Sequence, residues 1–244
     1  MTETIVIHDR FRGPPQSGNG GYVAGAFAEL LDVPGRDVEV TLRSPIPLDK
    51  PMQVVRHDGL VTIMDGETLI AEAKPVEVEV DIPELPAWHK VRAAESESFS
   101  FMDKINPLLP GTRGFHPICF CCGADHEDGL NVYAAPIEDA DQVAAVWETN
   151  PDWGDEEGLL PAAFLWTALD CPGQFAYYAT GIKTGMLGRI TARLQSRPRA
   201  GETLLVTAWP ISVDGKKHFA GSAIHTESGE LVGRALSVWI GRMD

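Results

Sequence analysis

The feature that most constrains the fold is an order of segments that occurs twice. In the first half, a turn-rich loop at 13–21 precedes a short apolar helix at 22–31, and strands follow. In the second half, an apolar helical stretch at 158–169 is also followed by strands. The repeat extends to detail, because 41–55 and 192–206 each show a strand, a proline-bearing bend and a second strand. The pattern predicts an α+β architecture in which each central helix is wrapped by its own antiparallel sheet.

The strands are predicted from runs of apolar and alternating residues that lie between turn residues. They fall at 4–11, 38–45, 52–59, 60–66 and 68–80 in the first half, and at 129–136, 142–149, 188–198, 203–215, 217–229 and 230–241 in the second. Between the halves, 81–117 is rich in Pro, Glu and Ser, and we interpret it as a linker with one short helix near 93–102. The predicted units are therefore 1–80 and 118–244.

Charge and hydropathy exclude several classes of partner. The net charge of −15 would repel nucleic acid and an anionic membrane. The apolar stretch 158–182 contains one charged residue, Asp170, but Pro161 and Pro172 interrupt it, so it is predicted to be core rather than a membrane span. The N-terminus has acidic residues and no apolar core, so no signal peptide is expected, and the predicted location is the cytoplasm.

The cysteines also indicate a reducing compartment. They are Cys119, Cys121, Cys122 and Cys171. Three of them lie in one turn and cannot staple distant parts of a fold, so no disulfide framework is expected. With His116 or His126 they could supply four zinc ligands, but two are adjacent and there is no second Cys-x-x-Cys pair. A buried turn of small side chains is favoured, and no metal site is predicted.

Three segments resemble acyl-CoA thioesterases of the hot dog fold. Residues 18–31, GNGGYVAGAFAELL, are similar to the Gly-Gly opening of their central helix. Residues 119–132, CFCCGADHEDGLNV, resemble the Cys-Phe-x-Cys-Gly…Gly-Leu entry to the first strand of phenylacetyl-CoA-type thioesterases. Residues 162–170, AAFLWTALD, are similar to the part of the helix that ends in their catalytic acid. The resemblance covers about 10–80 and 117–241.

The resemblance implies two fused hot dog units, a pseudo-dimer like that of the double-hotdog thioesterases. It implies an acyl thioester substrate that carries its own coenzyme A, no other cofactor, and a site shared between two units. Two fused units already form the usual dimer, so the sequence leaves any further homo-oligomer open. The length of the acyl chain is not specified by the pattern.

The start of the first helix is the predicted binding site for the thioester carbonyl. Free N–H groups and the positive end of the dipole meet at a helix N-terminus. Asn19, Gly20 and Gly21 fit this role, since glycine allows a close approach to the backbone. Asn19 stands where many members of the family have His. The alternative is that these residues only cap the helix, because Asn is a good N-cap.

Asp170 is the predicted general base or nucleophile. An isolated carboxylate in an apolar stretch is unfavourable unless it is paired or lies in a cleft, and desolvation would raise its pKa. The alternative is that Asp170 caps a second helical piece, Cys171–Ala179. Asp170 lies nine residues after Pro161, about 13 Å along a helix, so it cannot serve the start of its own helix. It would need the helix start of the other half.

The reciprocal site is predicted to be degraded. Pro161 has no N–H group, and it precedes Ala162 and Ala163 where the family has His-Gly-Gly. The acid position of the first helix falls on Ala28, and Glu29, one residue out of register, is the rival carboxylate. One working site per chain is therefore predicted.

The nucleotide end of coenzyme A would need local positive charge on this acidic surface. Arg189 and Arg193 are four residues apart and share a face of a strand, and Arg197 continues the run. Lys216 and Lys217 could add to it from a hairpin turn. The alternative is a solvated strand edge that guards against aggregation.

Three functions remain for the chain as a whole. The leading hypothesis is an acyl-CoA thioesterase. The second is a non-catalytic acyl-CoA-binding or scaffold protein with the same fold, which the missing His and the degraded reciprocal site favour. A hydratase of this fold ranks low, because that branch pairs an Asp with a His five residues on and neither helix start has such a pair.

Overall fold

The computed structural model describes residues 3–103 and 111–241. Its strands are β1 (Thr4–Val6), β2 (Asp37–Leu42), β3 (Pro51–His57), β4 (Leu60–Asp65), β5 (Thr68–Val76), β6 (Ala135–Pro136), β7 (Val143–Glu148), β8 (Met186–Leu194), β9 (Thr203–Asp214), β10 (Lys217–Thr226) and β11 (Leu231–Ile240). Its α-helices are α1 (Gly20–Glu29), α2 (Trp88–Ala94), α3 (Ala162–Ala168) and α4 (Cys171–Ala179). The helices are few and short beside one large antiparallel sheet.

The strand order repeats between the two halves of the chain. The sheet runs β1-β3-β4-β5-β2 and continues β8-β11-β10-β9-β7-β6. Outward from the centre, the first half runs β2-β5-β4-β3-β1 and the second half runs β8-β11-β10-β9-β7. These orders are the same when the strands of the second half are counted from β7, and β6 is an additional strand at the edge. The two halves meet where β2 pairs antiparallel with β8, with Val40 opposite Ile190. The repeated order of elements predicted from the sequence is therefore present in the topology.

The joint between the halves combines an apolar face with ion pairs. Val40 and Ile190 are both fully buried, as the alternation in these strands predicts. On the other face, Glu39 of β2 lies 3.3 Å from the guanidinium of Arg189 of β8. Close by, the largely buried Asp37 carboxylate lies 3.3 Å from the guanidinium of Arg234 on β11. Cross-strand apolar pairs and ion pairs thus join the two halves.

Helices α1 and α3 pack against each other, and glycine makes this close approach possible. A Cβ atom at Gly25 would lie 2.7 Å from the Cα of Ala163 and 2.8 Å from the Cβ of Trp166. A Cβ atom at Gly21, one turn earlier, would lie 2.5 Å from the Cβ of Asp170. Larger residues cannot fit at either position without moving the helices apart. The glycines therefore set the distance between the two central helices.

The core explains why these helices carry so little charge. Phe27 of α1, Leu165 of α3 and Phe175 of α4 are fully buried in one apolar cluster that spans both halves. Each buried side chain of this size contributes about 1.5–3 kcal/mol. No helix within 3–103 and 111–241 is long and apolar enough to cross a membrane. The apolar stretch at 158–182 instead forms α3 and α4, as predicted for core.

Several predicted strands are shorter than expected, and the one predicted at 4–11 is only β1 (Thr4–Val6), followed by a 3₁₀ turn at Asp9–Phe11. Strand β5 ends at Val76 rather than at residue 80, because its partner β2 begins at Asp37, opposite Val76, and offers no residues beyond. The strand predicted at 129–136 is reduced to Ala135–Pro136. The preceding residues bond to the cysteine turn instead, with Leu130 N–H donating to the carbonyl of Phe120. Local pairing partners, which the pattern cannot show, set both ends.

The helix predicted near 93–102 in the linker is wrongly placed. The structure has α2 at Trp88–Ala94, followed by a 3₁₀ turn at Glu95–Glu97. The helix begins soon after Pro86, and Val91 is buried in a small cluster that includes Trp88 and Val146 of β7. Packing of this apolar face on β7 decides the position. The part of the predicted helix beyond 97 is not helical in the described residues.

Candidate active site

The first three N–H groups of α1, those of Gly20, Gly21 and Tyr22, differ in their hydrogen bonds. Asn19 occupies the N-cap position, and its Oδ1 accepts a hydrogen bond from the N–H of Tyr22 at 2.9 Å. The N–H of Gly21 donates to Oδ2 of Asp170 at 2.9 Å. The N–H of Gly20 makes no hydrogen bond to any residue that the structure describes. Asn19 thus acts as the cap, as the alternative interpretation held, and one donor remains free.

Asp170 lies at the break between α3 and α4. The predicted second helical piece, Cys171–Ala179, is present, and Asp170 holds its N-cap position but makes no side-chain capping hydrogen bond. Instead its carboxylate points to the first half of the chain and accepts from Gly21. The residue is 3 % exposed, and its Oδ1 has no partner among the described residues. Asp170 therefore has the position of a helix cap, but its side chain binds the other half of the chain instead of capping α4.

Burial sets the ionisation of this carboxylate. Desolvation raises the pKa of Asp170 from 3.8 to about 7, and the neighbouring Cys119 thiol adds to the rise. The hydrogen bond from the Gly21 N–H, and to a lesser extent the nearby polar side chain of Asn19, opposes it by lowering the pKa. A carboxyl group with a pKa near neutrality can accept a proton and return it. This property suits general base catalysis.

A cavity of about 730 Å³ brings these groups to one wall. Asn19, Gly20 and Asp170 line it, together with residues from both halves of the chain. Most of the remaining wall is apolar, and it includes Ile46 from the first half and Leu187 from the second. A cavity of this size with a few convergent polar groups is typical of a small-molecule site.

Two polar residues of this wall have no predicted catalytic role. His116 lines the cavity, and burial lowers the pKa of its imidazole. Gln174 also lines it, and its side-chain N–H donates to the carbonyl of Gly185 at 2.7 Å. Gln174 lies one helical turn after Asp170, so the spacing could have indicated it. For His116 the sequence holds no such signal, because only the fold brings it to the cavity.

The cysteines gather around the same wall, and all four are free thiols. The predicted turn of Cys119, Cys121 and Cys122 is buried, but the structure adds Cys171, which is distant in sequence. The Sγ atoms of Cys119 and Cys171 lie 3.7 Å apart. The thiol of Cys121 donates to the carbonyl of Thr167 at 3.2 Å. Burial raises the pKa of the Cys121 thiol.

The predicted basic run does not border the cavity. Arg189 is held by Glu39 and donates to the hydroxyl of Thr41 at 3.1 Å, and neither it nor Arg193 lines the wall. Arg197 is paired with Asp155. The cavity wall instead includes Arg43, which the sequence analysis did not single out. A role for Arg189 and Arg193 in binding coenzyme A stays a prediction.

A second, smaller cavity of about 500 Å³ lies at the start of α3. Pro161 and Glu29 both line it, in the arrangement predicted for the reciprocal site. Pro161 holds the N-cap position of α3 and has no N–H to offer. Glu29 is exposed, and the partial burial of its carboxyl group raises its pKa. In the arrangement at the first cavity, by contrast, Asp170 is buried and bonded to the facing helix.

Comparison of the whole structure with solved structures identifies the fold. A protein from Novosphingobium aromaticivorans, assigned provisionally as a thioesterase, is 12 % identical and superposes with a TM-score of 0.61 over 98 % of this chain and 95 % of its own. The tesB protein of Mycobacterium avium subspecies paratuberculosis is 18 % identical, with a TM-score of 0.57 over 93 % and 88 %. A hot dog protein of unknown function from Alicyclobacillus acidocaldarius is 12 % identical, with a TM-score of 0.58 over the same shares.

Comparison of the sequence alone identifies no relative of this chain. No family model matches it. No curated protein matches it either. The structural resemblance to hot dog proteins, which the sequence motifs predicted, is nevertheless confirmed at the level of the fold over nearly the whole chain. The chain has the hot dog fold.

Proposed function

We propose that this chain is an acyl-CoA thioesterase whose single site is shared between two fused hot dog units. The observation that carries the proposal is the hydrogen bond of 2.9 Å between the Gly21 N–H and Asp170 Oδ2. It joins the helix start of one half to the carboxylate of the other beside a cavity. The second carboxylate oxygen and the Gly20 N–H are both left without partners in the described part of the chain.

The assignment of two units rests on the topology. Each half contributes an apolar central helix and a run of five strands in the same relative order, β1–β5 in the first half and β7–β11 in the second, where the short β6 adds a sixth strand at the edge. The antiparallel pairing of β2 with β8 then corresponds to the joint between two subunits of a dimer. In such a pair each helix start faces the end of the other helix, which is the relation that Gly21 and Asp170 show. The halves 1–80 and 118–244 are thus the units of a pseudo-dimer.

The chemistry follows from the positions of the free groups. The thioester carbonyl oxygen accepts a hydrogen bond from the Gly20 N–H. The positive end of the α1 dipole stabilises the negative charge that develops on this oxygen. Ionised Asp170 removes a proton from a water molecule, whose oxygen attacks the carbonyl carbon. The tetrahedral intermediate collapses and breaks the C–S bond. Asp170 returns the proton to the leaving thiolate, so the products are a carboxylate, a free thiol and one proton released to solvent.

Different parts of the cavity wall suit the two ends of the substrate. The apolar residues Ile46 and Leu187 suit an acyl chain, because burying each methylene stabilises binding by about 0.8 kcal/mol. Arg43 offers a positive charge to the nucleotide end, although it also pairs with Glu72 at 2.6 Å. The negative charge of the rest of the protein makes this local cation important.

The test is an assay of the hydrolysis of acyl-CoAs of several chain lengths, in which the release of free thiol is measured. We expect turnover by the wild type and a loss of at least about 100-fold in kcat for Asp170→Asn, as is typical when a general base is removed. Glu29→Gln is the matched control, since it makes the same change in the second cavity and leaves turnover intact. No hydrolysis of any acyl-CoA by the wild type would refute the enzyme. Loss in Glu29→Gln with retention in Asp170→Asn would move the site to the other cavity.

A second function is favoured by one observation. Asn19 caps α1 through its Oδ1 and so provides no proton relay in the cavity. A protein of this kind could bind acyl-CoA without cleaving it. It would bind an acyl-CoA in equilibrium dialysis and release no thiol, and Asp170→Asn would leave its affinity nearly unchanged.

A further inference from the structure

We infer that Cys119, Cys122 and Cys171 form a binding site for a zinc ion in the wall of the main cavity. The inference goes beyond thioester hydrolysis and does not depend on it. All three residues are buried, and their Sγ atoms lie within 4.8 Å of one another. The linear spacing of the cysteines did not predict this site, because Cys171 comes from the start of α4 and only the fold brings it to the turn.

The distances suit thiolate coordination. The Sγ atoms of Cys119 and Cys171 are 3.7 Å apart. In a tetrahedral zinc site with Zn–S bonds of about 2.3 Å, two sulfur ligands are separated by about 3.8 Å. The observed pair already has this separation, and the third sulfur lies close enough to complete a trigonal face. Little rearrangement would be needed to receive the ion.

The turn that carries two of the ligands is built tightly. Cys119 and Cys122 have the Cys-x-x-Cys spacing common in zinc sites. The next residue, Gly123, donates its N–H to the carbonyl of Cys119 at 2.8 Å. A Cβ atom at Gly123 would lie 2.4 Å from the nitrogen of Cys119, so only glycine closes the turn in this form. The backbone thus fixes both thiols before an ion binds.

A neighbouring side chain donates hydrogen bonds to two of the sulfurs. The Nδ2 group of Asn19 donates to Sγ of Cys119 at 3.5 Å and to Sγ of Cys171 at 3.8 Å. Donors of this kind stabilise ligating thiolates and orient them. Cys119 and Cys171 also line the main cavity, so an ion held by the three sulfurs would lie at its wall.

The fourth cysteine provides a matched control. Cys121 lies in the same buried turn, but its thiol donates to the carbonyl of Thr167 at 3.2 Å and belongs to no ligand set. Cys121→Ser and Cys122→Ser therefore make the same chemical change at adjacent buried positions. Only Cys122→Ser removes a ligand.

The experiment measures bound metal. The full chain is kept reduced, stripped with a chelator, incubated with Zn²⁺ and desalted, and zinc per chain is determined by elemental analysis. We expect one zinc per chain in the wild type and in Cys121→Ser, and a loss of tenfold or more in affinity for Cys122→Ser and Cys171→Ser. Less than half an equivalent in the wild type, or equal loss in Cys121→Ser and Cys122→Ser, would overturn the site.

A second measurement does not depend on whether the variants fold. Co²⁺ bound by three thiolates gives the wild type an intense sulfur-to-metal charge-transfer absorption that Zn²⁺ abolishes by competition. The intensity is expected to correspond to three thiolates. A spectrum without this absorption at saturating Co²⁺ would show that the cysteines are not ligands.

Discussion

Replacing Asp170 by Asn is expected to make the protein more stable at neutral pH while abolishing its activity. The carboxylate is 3 % exposed and receives one backbone hydrogen bond, from Gly21. Its pKa is about 7 in the folded protein against 3.8 for an ordinary Asp. The difference between these two pKa values means that the folded state destabilises the charged form of Asp170 by about 4 kcal/mol relative to the unfolded state.

The sign of the pH dependence follows from linkage. Because the pKa of Asp170 is higher in the folded state, folding binds a proton, and the protonated carboxyl is not penalised below pH 3.8. Stability is lost as the pH rises from about 4 to about 7, and the loss is complete above that range. Between pH 5 and pH 8 the wild type should lose about 2.5 kcal/mol relative to Asp170→Asn.

The assay is urea denaturation of both proteins at pH 5 and pH 8, in a buffer with chelator and reductant so that no metal ion contributes. The quantity of interest is the change with pH in the difference between the two free energies of unfolding, which cancels the titration of all other groups. Glu227→Gln removes a charge from an exposed turn and should leave the pH dependence as in the wild type. A difference between wild type and Asp170→Asn that is the same at both pH values would refute the reasoning.

Three further outcomes are expected. Turnover by the wild type should rise with pH to a plateau with a midpoint near 7, since Asp170 must be ionised to act as base; a profile flat from pH 5 to 9 would contradict this. Gly25→Ala should lower the free energy of unfolding by about 1–3 kcal/mol, because the added methyl group meets Trp166 at 2.8 Å, and an unchanged urea midpoint would be the contrary result. Arg234→Met should destabilise by about 3 kcal/mol by leaving Asp37 buried without its partner, with Asp37→Asn in the same chain restoring most of the loss.

The architecture was accessible from the sequence because it is repeated. Two apolar helices and two runs of strands imply the same solution twice, and the topology has the same strand order in both halves. The pairing of Asp170 with the glycines of the other half was implied by the resemblance, since length shows only that a residue about 13 Å along its own helix cannot serve the start of that helix. Length could not show that the Gly21 N–H donates to the carboxylate. Among the described residues, this leaves the Gly20 N–H without an acceptor.

The remaining differences come from tertiary partners. The end of β5 at Val76 depends on where β2 begins, and the position of α2 depends on a cluster that includes Val91 and residues of β7. Cys171 joins the cysteine turn because α4 starts beside it, and His116 reaches the cavity by the path of the linker. A linear pattern carries periodicity and spacing, but not which distant segments meet.

The central claim is that one half of the chain holds the carbonyl and the other half activates the water. The most direct measurement is a crystal structure of Asp170→Asn with an uncleaved acyl-CoA. The account predicts that the acyl chain fills the cavity of about 730 Å³ and that the thioester carbonyl oxygen lies about 3 Å from the N–H of Gly20. A thioester bound in the second cavity beside Glu29, or a carbonyl directed away from the start of α1, would contradict it.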